Sequence, residues 1–346
     1  MAIISYLNSF PAPNALDMLA RDSQHEVIRI DGNDSDQRNF DILGSANAYQ
    51  CVGARDEVPV SLRVDAEFLQ KTPNLLVVSA SGSGVDVFDL PACTKAGVLA
   101  VNQAGSNAES VAEHAISMMI GLQKHISAAD RALRIGWGGS RLAFTGRDLF
   151  GKTIGIVGLG NIGRRLAQIC RAGFGCQVVA VDPYLSPEEV RERGAEPTDF
   201  DTLLQASDII SVHTPLTEET RGMFNKCAFS KMKKGAIFIT TARGSIHDEQ
   251  ALADALASGH LSGAGLDVWE IEPPAKDHPL LKMDNVIATP HVAGCTADSL
   301  ENMAQYAASQ LLDLFEGKPP LRPVNPEVLP LFEKRFKTIL GSVIDR

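Results

Sequence analysis

Residues 153–182, TIGIVGLGNIGRRLAQICRAGFGCQVVAVD, run from a short apolar stretch through a glycine-rich turn and a helical pattern to a second apolar stretch that closes on an acid. That order constrains the chain to a βαβ unit, because parallel strands need a crossover and a helix supplies it. The turn carries Gly158, Gly160 and Gly163 in GxGxxG spacing. Glycine removes side chains that would keep the backbone from a pyrophosphate, and the N-terminus of the next helix offers free N–H groups and partial positive charge. Asn161 and Ile162 open that helix and are read with the site. Asp182, about 20 residues on, can accept hydrogen bonds from both ribose hydroxyls of an adenosine half. A carboxylate there repels a 2′-phosphate, and Pro183, Tyr184, Leu185 and Ser186 include no cation to receive one. NAD is therefore expected over NADP. Two simpler accounts stand beside this one: a tight βα turn that binds no nucleotide, and Asp182 as a plain helix N-cap.

The same alternation fills the chain. AIISYL, EVIRID, YQCVG, LLVVSAS and VLAVN are separated by helical patterns up to residue 105, and a second series runs from TIGIVG to NVIATP. This predicts an α/β protein of two doubly wound parallel-sheet domains, which suits a length of 346 residues. Between the series, NAESVAEHAISMMIGLQKHISAADRALRIG keeps Val111, Ala115, Met118, Met119, Leu122, Ile126, Ala129 and Leu133 on one face, with Ser110 and Glu113 as a capping box. It reads as one long joining helix. A second amphipathic helix, SLENMAQYAASQLLDLFEG, leads the chain back to its first domain. The expected boundaries are 1–105 with 297–330 for a substrate domain and 106–296 for an inserted nucleotide domain. The proline-rich KPPLRPVNPEVLP ends regular structure, leaving 331–346 as a tail.

Composition excludes other classes. A formal net charge of −10 with dispersed Lys and Arg argues against a nucleic-acid partner. No run of 18 apolar residues is present to span a membrane, and MAIISYLNSF lacks the basic start of a signal peptide, so a cytoplasmic protein is expected. Six cysteines form no CxxC pair, and no metal site is expected.

Three polar residues fall where strands should stop. Arg243 follows GAIFITTA, Glu272 follows GAGLDVWEI before Pro273 and Pro274, and His291 follows NVIATP. Ligands of open parallel sheets bind beyond the carboxyl ends of the strands, so the three should share one edge. Such a set suits reduction of a carbonyl beside a carboxylate. Arg243 would hold the anion by two hydrogen bonds, His291 would exchange a proton with the oxygen, and Glu272 would orient the imidazole and raise its pKa. Taken singly, each residue has a plainer account as a solvated loop side chain. Ser245 with Asp248 reads as a capping box, and His247 as an exposed residue of the helix's first turn.

GIVGLGNIG, HTPLTEETRGMFN, TARGSIHDEQAL, GAGLDVWEIEPP and ATPHVAG, preceded by NAESVAEHA, together resemble the D-isomer-specific 2-hydroxyacid dehydrogenases over residues from about 75 to 325. The resemblance implies a Rossmann NAD-binding domain inserted in a flavodoxin-like catalytic domain, and interconversion of a small-molecule 2-oxo acid with a D-2-hydroxy acid. It implies Arg243, Glu272 and His291 as catalytic positions, with Ser83 and Gly84 of SASGSGVD binding substrate. Thr214, Pro215, Ala242 and Asp267 are implied at the cofactor. IGWGGSRLAF, with Trp137 and Phe144, matches the family's dimer loop, which implies a homodimer. Val87 and Thr240 depart from positions where the family often has Asn, and Glu272 stands where formate dehydrogenases carry Gln. The chain is expected to lack the further regulatory domain of many phosphoglycerate dehydrogenases. The family also includes NAD(H)-sensing corepressors that keep the triad, so a binding protein is the alternative.

Overall fold

A computed structural model of the chain describes residues 1–10, 12–21 and 25–344. It divides into two compact units, Met1–Asn107 with Thr296–Arg346, and Ala108–Cys295. Both are α/β, and every strand pairing in both is parallel.

The first unit holds β1 (Ala2–Leu7), β2 (His25–Ile30), β3 (Ala48–Val52), β4 (Val77–Ser81) and β5 (Leu99–Val101), with α1 (Pro13–Arg21), α2 (Asp36–Leu43), α3 (Ala66–Lys71) and α4 (Leu90–Ala96) between them. The order β2-β1-β3-β4-β5 is that of flavodoxin-like sheets. β3 and β4 are buried over nearly their whole length, as strands covered on both faces must be, and their sequences AYQCV and VVSAS are almost continuously uncharged for that reason.

The second unit holds β6 (Thr153–Val157), β7 (Gln177–Val181), β8 (Glu196–Pro197), β9 (Ile209–Val212), β10 (Ala236–Thr240), β11 (Leu261–Leu266) and β12 (Val286–Ala288). Its helices are α5 (Ala108–Gln123), α6 (Ile126–Arg134), α7 (Asn161–Phe174), α8 (Pro187–Glu192), α9 (Phe200–Ala206), α10 (Lys226–Lys231) and α11 (Glu249–Ala257). The order β12-β11-β10-β9-β6-β7-β8 is doubly wound, with the chain reversing direction across the sheet between β6 and β9. A doubly wound sheet binds its ligand beyond that switch point.

The joining helix expected over residues 107–136 is instead two. The Gln123 carbonyl turns to accept from Arg147 N at 2.8 Å, and His125 takes a left-handed φ of 53°. α5 therefore stops, and α6, which follows, has no buried residue. Ser110 cannot cap it, because α5 already begins at Ala108.

α12 (Ala297–Phe315) starts at an N-cap, Thr296, whose side chain accepts from Ser299 N, and packs within the first unit against α1. The expected tail after residue 330 is also corrected, since α13 (Leu329–Leu340) spans most of it. Phe332 and Phe336 are fully buried, and Arg335 donates to Pro73 O and Leu75 O at 2.9 and 3.0 Å. The proline-rich segment ahead of it is anchored by buried Asn325, which accepts from Ala100 N at 2.8 Å and donates to Val98 O at 3.1 Å. Positions 345 and 346 lie outside the described residues. Among those described, no helix is long and apolar enough to cross a membrane.

Candidate active site

The glycine turn after β6 assigns a separate task to each glycine. Gly158 has φ +89°, and a Cβ there would meet the His213 carbonyl at 2.9 Å. Gly163 lies so close under the turn that a Cβ would meet Gly158 O at 2.1 Å, which lets α7 pack onto its strand. Gly160, by contrast, caps α7 without any side-chain bond and has open space where a Cβ would stand. Backbone N–H groups at a helix start, beside a face no side chain covers, suit a pyrophosphate. Asn161 and Ile162 form the first turn of α7 at the same place.

Asp182 follows β7 and accepts from Leu159 N at 2.9 Å and from Tyr184 N at 3.1 Å. It does not cap α8, whose N-cap is Ser186 in a full capping box with Glu189. The Leu159 carbonyl accepts from Arg193 Nη1 at 2.9 Å, so the turn is held from both of that residue's peptide groups. Thr214 and Pro215 follow β9, where Thr220 Oγ1 donates to Pro215 O at 2.7 Å. His213, just before them, lies 2.8 Å through Nε2 from Ser211 Oγ, and burial pushes its pKa down to about 4.

Arg243, Glu272 and His291 come from the carboxyl ends of β10, β11 and β12. Glu272 Oε2 lies 2.8 Å from His291 Nδ1, and Glu272 Oε1 accepts from Trp269 N at 2.9 Å. The side chains are 24% and 36% exposed, so the pair is partly shielded yet open on one side. The hydrogen bond to Glu272 raises the His291 pKa; burial and the Arg243 charge oppose this, and the charges of Glu272 and Asp267 reinforce it. For Glu272, burial favours the neutral acid, but the bonds from His291 and Trp269 N and the charges of His291 and Arg243 outweigh it, and its pKa falls. Arg243 is half-buried, donates to Ala242 O at 2.6 Å, and acts electrostatically on both partners. Ala242 itself is buried at the end of β10.

His291 sits at φ +56°, a backbone region that few non-glycine residues occupy. What holds it there is Asp267, wholly buried after β11. Its carboxylate accepts from Thr289 Oγ1 at 2.5 Å, Val292 N at 2.9 Å and Ala293 N at 2.9 Å, while its carbonyl accepts from His291 N at 2.7 Å. His114 Nε2, on α5, lies 3.0 Å from Thr289 Oγ1. The loop around the imidazole is thus built on one buried anion, satisfied by donors on both oxygens.

Two expectations near Arg243 are corrected. A short 3-10 turn, Gly244–Ile246, takes up Ser245, and the residue that caps α11 is Asp248, accepting from Ala251 N at 2.9 Å. His247 is buried, not exposed: it packs 5.6 Å from the Phe238 ring, and burial holds its pKa at about 4. Among the described residues neither of its ring nitrogens has a hydrogen-bond partner.

Ser83 and Gly84 belong to the first unit, in the loop after β4. There the Ser83 carbonyl accepts from Asn102 Nδ2 at 2.9 Å, and the Gly84 carbonyl sits where a Cβ on Gly53 would reach it at 2.3 Å. Val87, behind them, is a core residue. Thr289, Trp269 and His114 were not singled out from sequence; only the TP before His291 and the W of DVW marked two of them. Among the described residues no cluster of His, Cys, Asp and Glu is arranged to hold a metal.

Residues 116–293 match the family model described as D-isomer specific 2-hydroxyacid dehydrogenase, NAD binding domain. The chain is 40% identical over 292 residues to a D-3-phosphoglycerate dehydrogenase of Archaeoglobus fulgidus, covering 84% of this chain and 54% of that protein. It therefore spans about half the length of the phosphoglycerate dehydrogenases it matches. It is also 40% identical over 273 residues to a glyoxylate reductase of Thermofilum pendens, covering 77% of this chain and 80% of the other. The crystal structure of a glyoxylate reductase from Paecilomyes thermophila aligns with a TM-score of 0.82 at 27% identity, over 94% of this chain and 99% of that one.

Proposed function

The chain belongs to the D-isomer specific 2-hydroxyacid dehydrogenase family, and on that premise we propose that it is an NAD-dependent oxidoreductase interconverting a 2-oxo acid and a D-2-hydroxy acid. The observation that carries the reading is the 2.8 Å contact of His291 with Glu272, in the field of Arg243, at the carboxyl edge of a sheet with a nucleotide-binding turn.

The residues present fit NAD. Gly158, Gly160, Gly163, Asn161 and Ile162 would receive its pyrophosphate, and Asp182 its adenosine ribose. Thr214, Pro215, Ala242 and Asp267 are proposed to line its nicotinamide half. When bound, NAD accepts or supplies the hydride. The chain's own residues do the rest. Arg243 binds the substrate by paired hydrogen bonds to its oxygens. His291, with Nδ1 engaged by Glu272, carries the exchanged proton at Nε2, giving it to the oxygen in reduction and taking it back in oxidation. Glu272 favours the charged imidazole and fixes its plane. Ser83 and Gly84 enter the proposal as substrate-binding residues on the chemistry of their loop, which carries backbone N–H groups and a hydroxyl.

A homodimer is proposed from the apolar surface of α6 and the segment after it. Leu133, Ile135 and Leu142 are 68%, 87% and 73% exposed, and Trp137 meets Phe144 edge-on at 5.2 Å. Side chains of this size side by side on a surface mark a protein interface. A cytoplasmic location accompanies the reading.

The test is NADH oxidation across 2-oxo acids of different size and charge, including glyoxylate, hydroxypyruvate and the phosphorylated acid of phosphoglycerate oxidation. His291→Ala and a separate NADH-binding assay run beside it. Turnover that disappears in the variant supports the dehydrogenase. Tight NADH binding without turnover on any acid overturns it in favour of an NAD(H)-sensing protein.

A further inference from the structure

Trp269 and its peptide link to Glu270 together touch the surroundings of all three proposed catalytic residues. Trp269 N donates to Glu272 Oε1 at 2.9 Å. The indole Nε1 donates to Thr289 O at 3.1 Å, two residues before His291. Gly244, next to Arg243, lies so near this peptide that a Cβ would meet Trp269 C at 2.0 Å and Glu270 N at 2.3 Å.

The far side of that peptide is held by a second histidine–carboxylate pair. Glu249, the first residue of α11, accepts from Glu270 N at 2.8 Å through Oε1, and its Oε2 lies 3.0 Å from His278 Nε2. His278 Nδ1 accepts from Leu280 N at 3.3 Å, which leaves the ring proton on Nε2 and makes His278 the donor to Glu249. The His278 ring stands edge-on to the Trp269 indole, 5.5 Å between centroids at 75°. Both side chains are largely shielded, at 18% and 14% exposure, so these bonds are stronger than their equivalents in water.

We propose that Glu249 and His278 are positioning residues for the reaction, fixing the Trp269–Glu270 peptide so that Glu272 and His291 keep their alignment. The effect on turnover rests on the dehydrogenase reading; the effect on the His291 imidazole does not. A carboxylate in the first turn of α11 would by itself favour the helix through its dipole. That role would alter thermal stability and leave His291 untouched.

The test compares the full chain with Glu249→Ala and Glu249→Gln. Two quantities are read: kcat and KM of NADH-dependent reduction, and the His291 titration by NMR, assigned through the signal lost in His291→Ala. His291 is faced by Glu272, Arg243 and Asp267, none of which these variants replace. In Glu249→Ala, kcat should fall about ten- to hundredfold, the scale on which misplaced catalytic groups lose rate, with NADH affinity kept. The His291 pKa should drop toward its ordinary value of about 6.5. Glu249→Gln keeps an acceptor for Glu270 N and should recover most of both. If Glu249→Ala does not fold, His278→Gln, which removes the ring packed on Trp269, carries the same expectation. A folded variant with unchanged kcat and unchanged His291 titration overturns the proposal. A wild type without turnover, whose His291 pKa still drops in Glu249→Ala, would sink the dehydrogenase reading and support this one.

Discussion

His291 Nδ1 lies 2.8 Å from Glu272 Oε2, and that one bond is the largest influence keeping the imidazole protonated beyond its ordinary range. Reduction needs the protonated ring, so activity should persist to higher pH than an isolated histidine allows and fail as pH rises through the elevated pKa. Glu272→Gln keeps an acceptor and removes the charge. The alkaline limb of the kcat/KM profile should move down by about one pH unit, the size of effect an adjacent opposite charge produces. A profile that stays in place would show that the pair does not set the proton affinity.

Asp182 bonds to Leu159 N in the glycine turn and to Tyr184 N, which leaves its remaining lone pairs for a ribose. Asp182→Ser should weaken NADH binding and reduce the preference for NADH over NADPH by about tenfold or more, the equivalent of one hydrogen bond to a charged group. The ratio of kcat/KM values for the two cofactors checks it. Weakened NADH binding with unchanged preference would assign the residue to the turn alone.

The parts of the molecule legible in sequence are those set by local backbone geometry. Glycine spacing fixes the turn after β6 because Gly158 answers a contact with the neighbouring strand end and Gly163 one within the turn, while Gly160 leaves the helix start open. The strand-end rule then puts Arg243, Glu272 and His291 on one edge. What stayed hidden depends on contacts between distant residues. The apolar periodicity runs on past Gln123 into Ile126 and Ala129, and the bond from Arg147 N to the Gln123 carbonyl, with the left-handed turn at His125, ends α5. α13 follows a proline-rich stretch that looks like an ending, yet Asn325 ties that stretch to Val98 and Ala100. Glu249, Trp269 and His278 belong to three separate segments, and nothing in any one of them announces the others.

Arg243 acts on Glu272 and His291 through its charge, and its own bond to Ala242 O fixes where the guanidinium begins. Arg243→Ala should lower kcat/KM for a 2-oxo acid roughly hundredfold or more, as expected when one partner of a buried charged hydrogen bond is removed. NADH affinity should stay close to wild type, because the glycine turn and Asp182 are unaltered. Loss of NADH binding in a titration would instead make the arginine structural.

Asp267 supplies the last test, because its carboxylate and carbonyl together meet four donors of the loop that carries His291. Asp267→Ala leaves Thr289 Oγ1, Val292 N and Ala293 N without the fully buried carboxylate that accepts from them. Each stranded donor costs about 1–3 kcal/mol, so the total loss of stability should be about 3 kcal/mol or more, read from the denaturant midpoint. Thr289→Val removes one donor while the two backbone N–H groups keep their partner, and should cost about 1 kcal/mol. The two variants therefore separate the buried anion from any single bond to it. The left-handed φ of 56° at His291 persists only while surrounding bonds impose it. Asp267→Ala should accordingly lose turnover by a larger factor than Thr289→Val, and a variant that kept full turnover despite lower stability would show that the loop needs no such anchor.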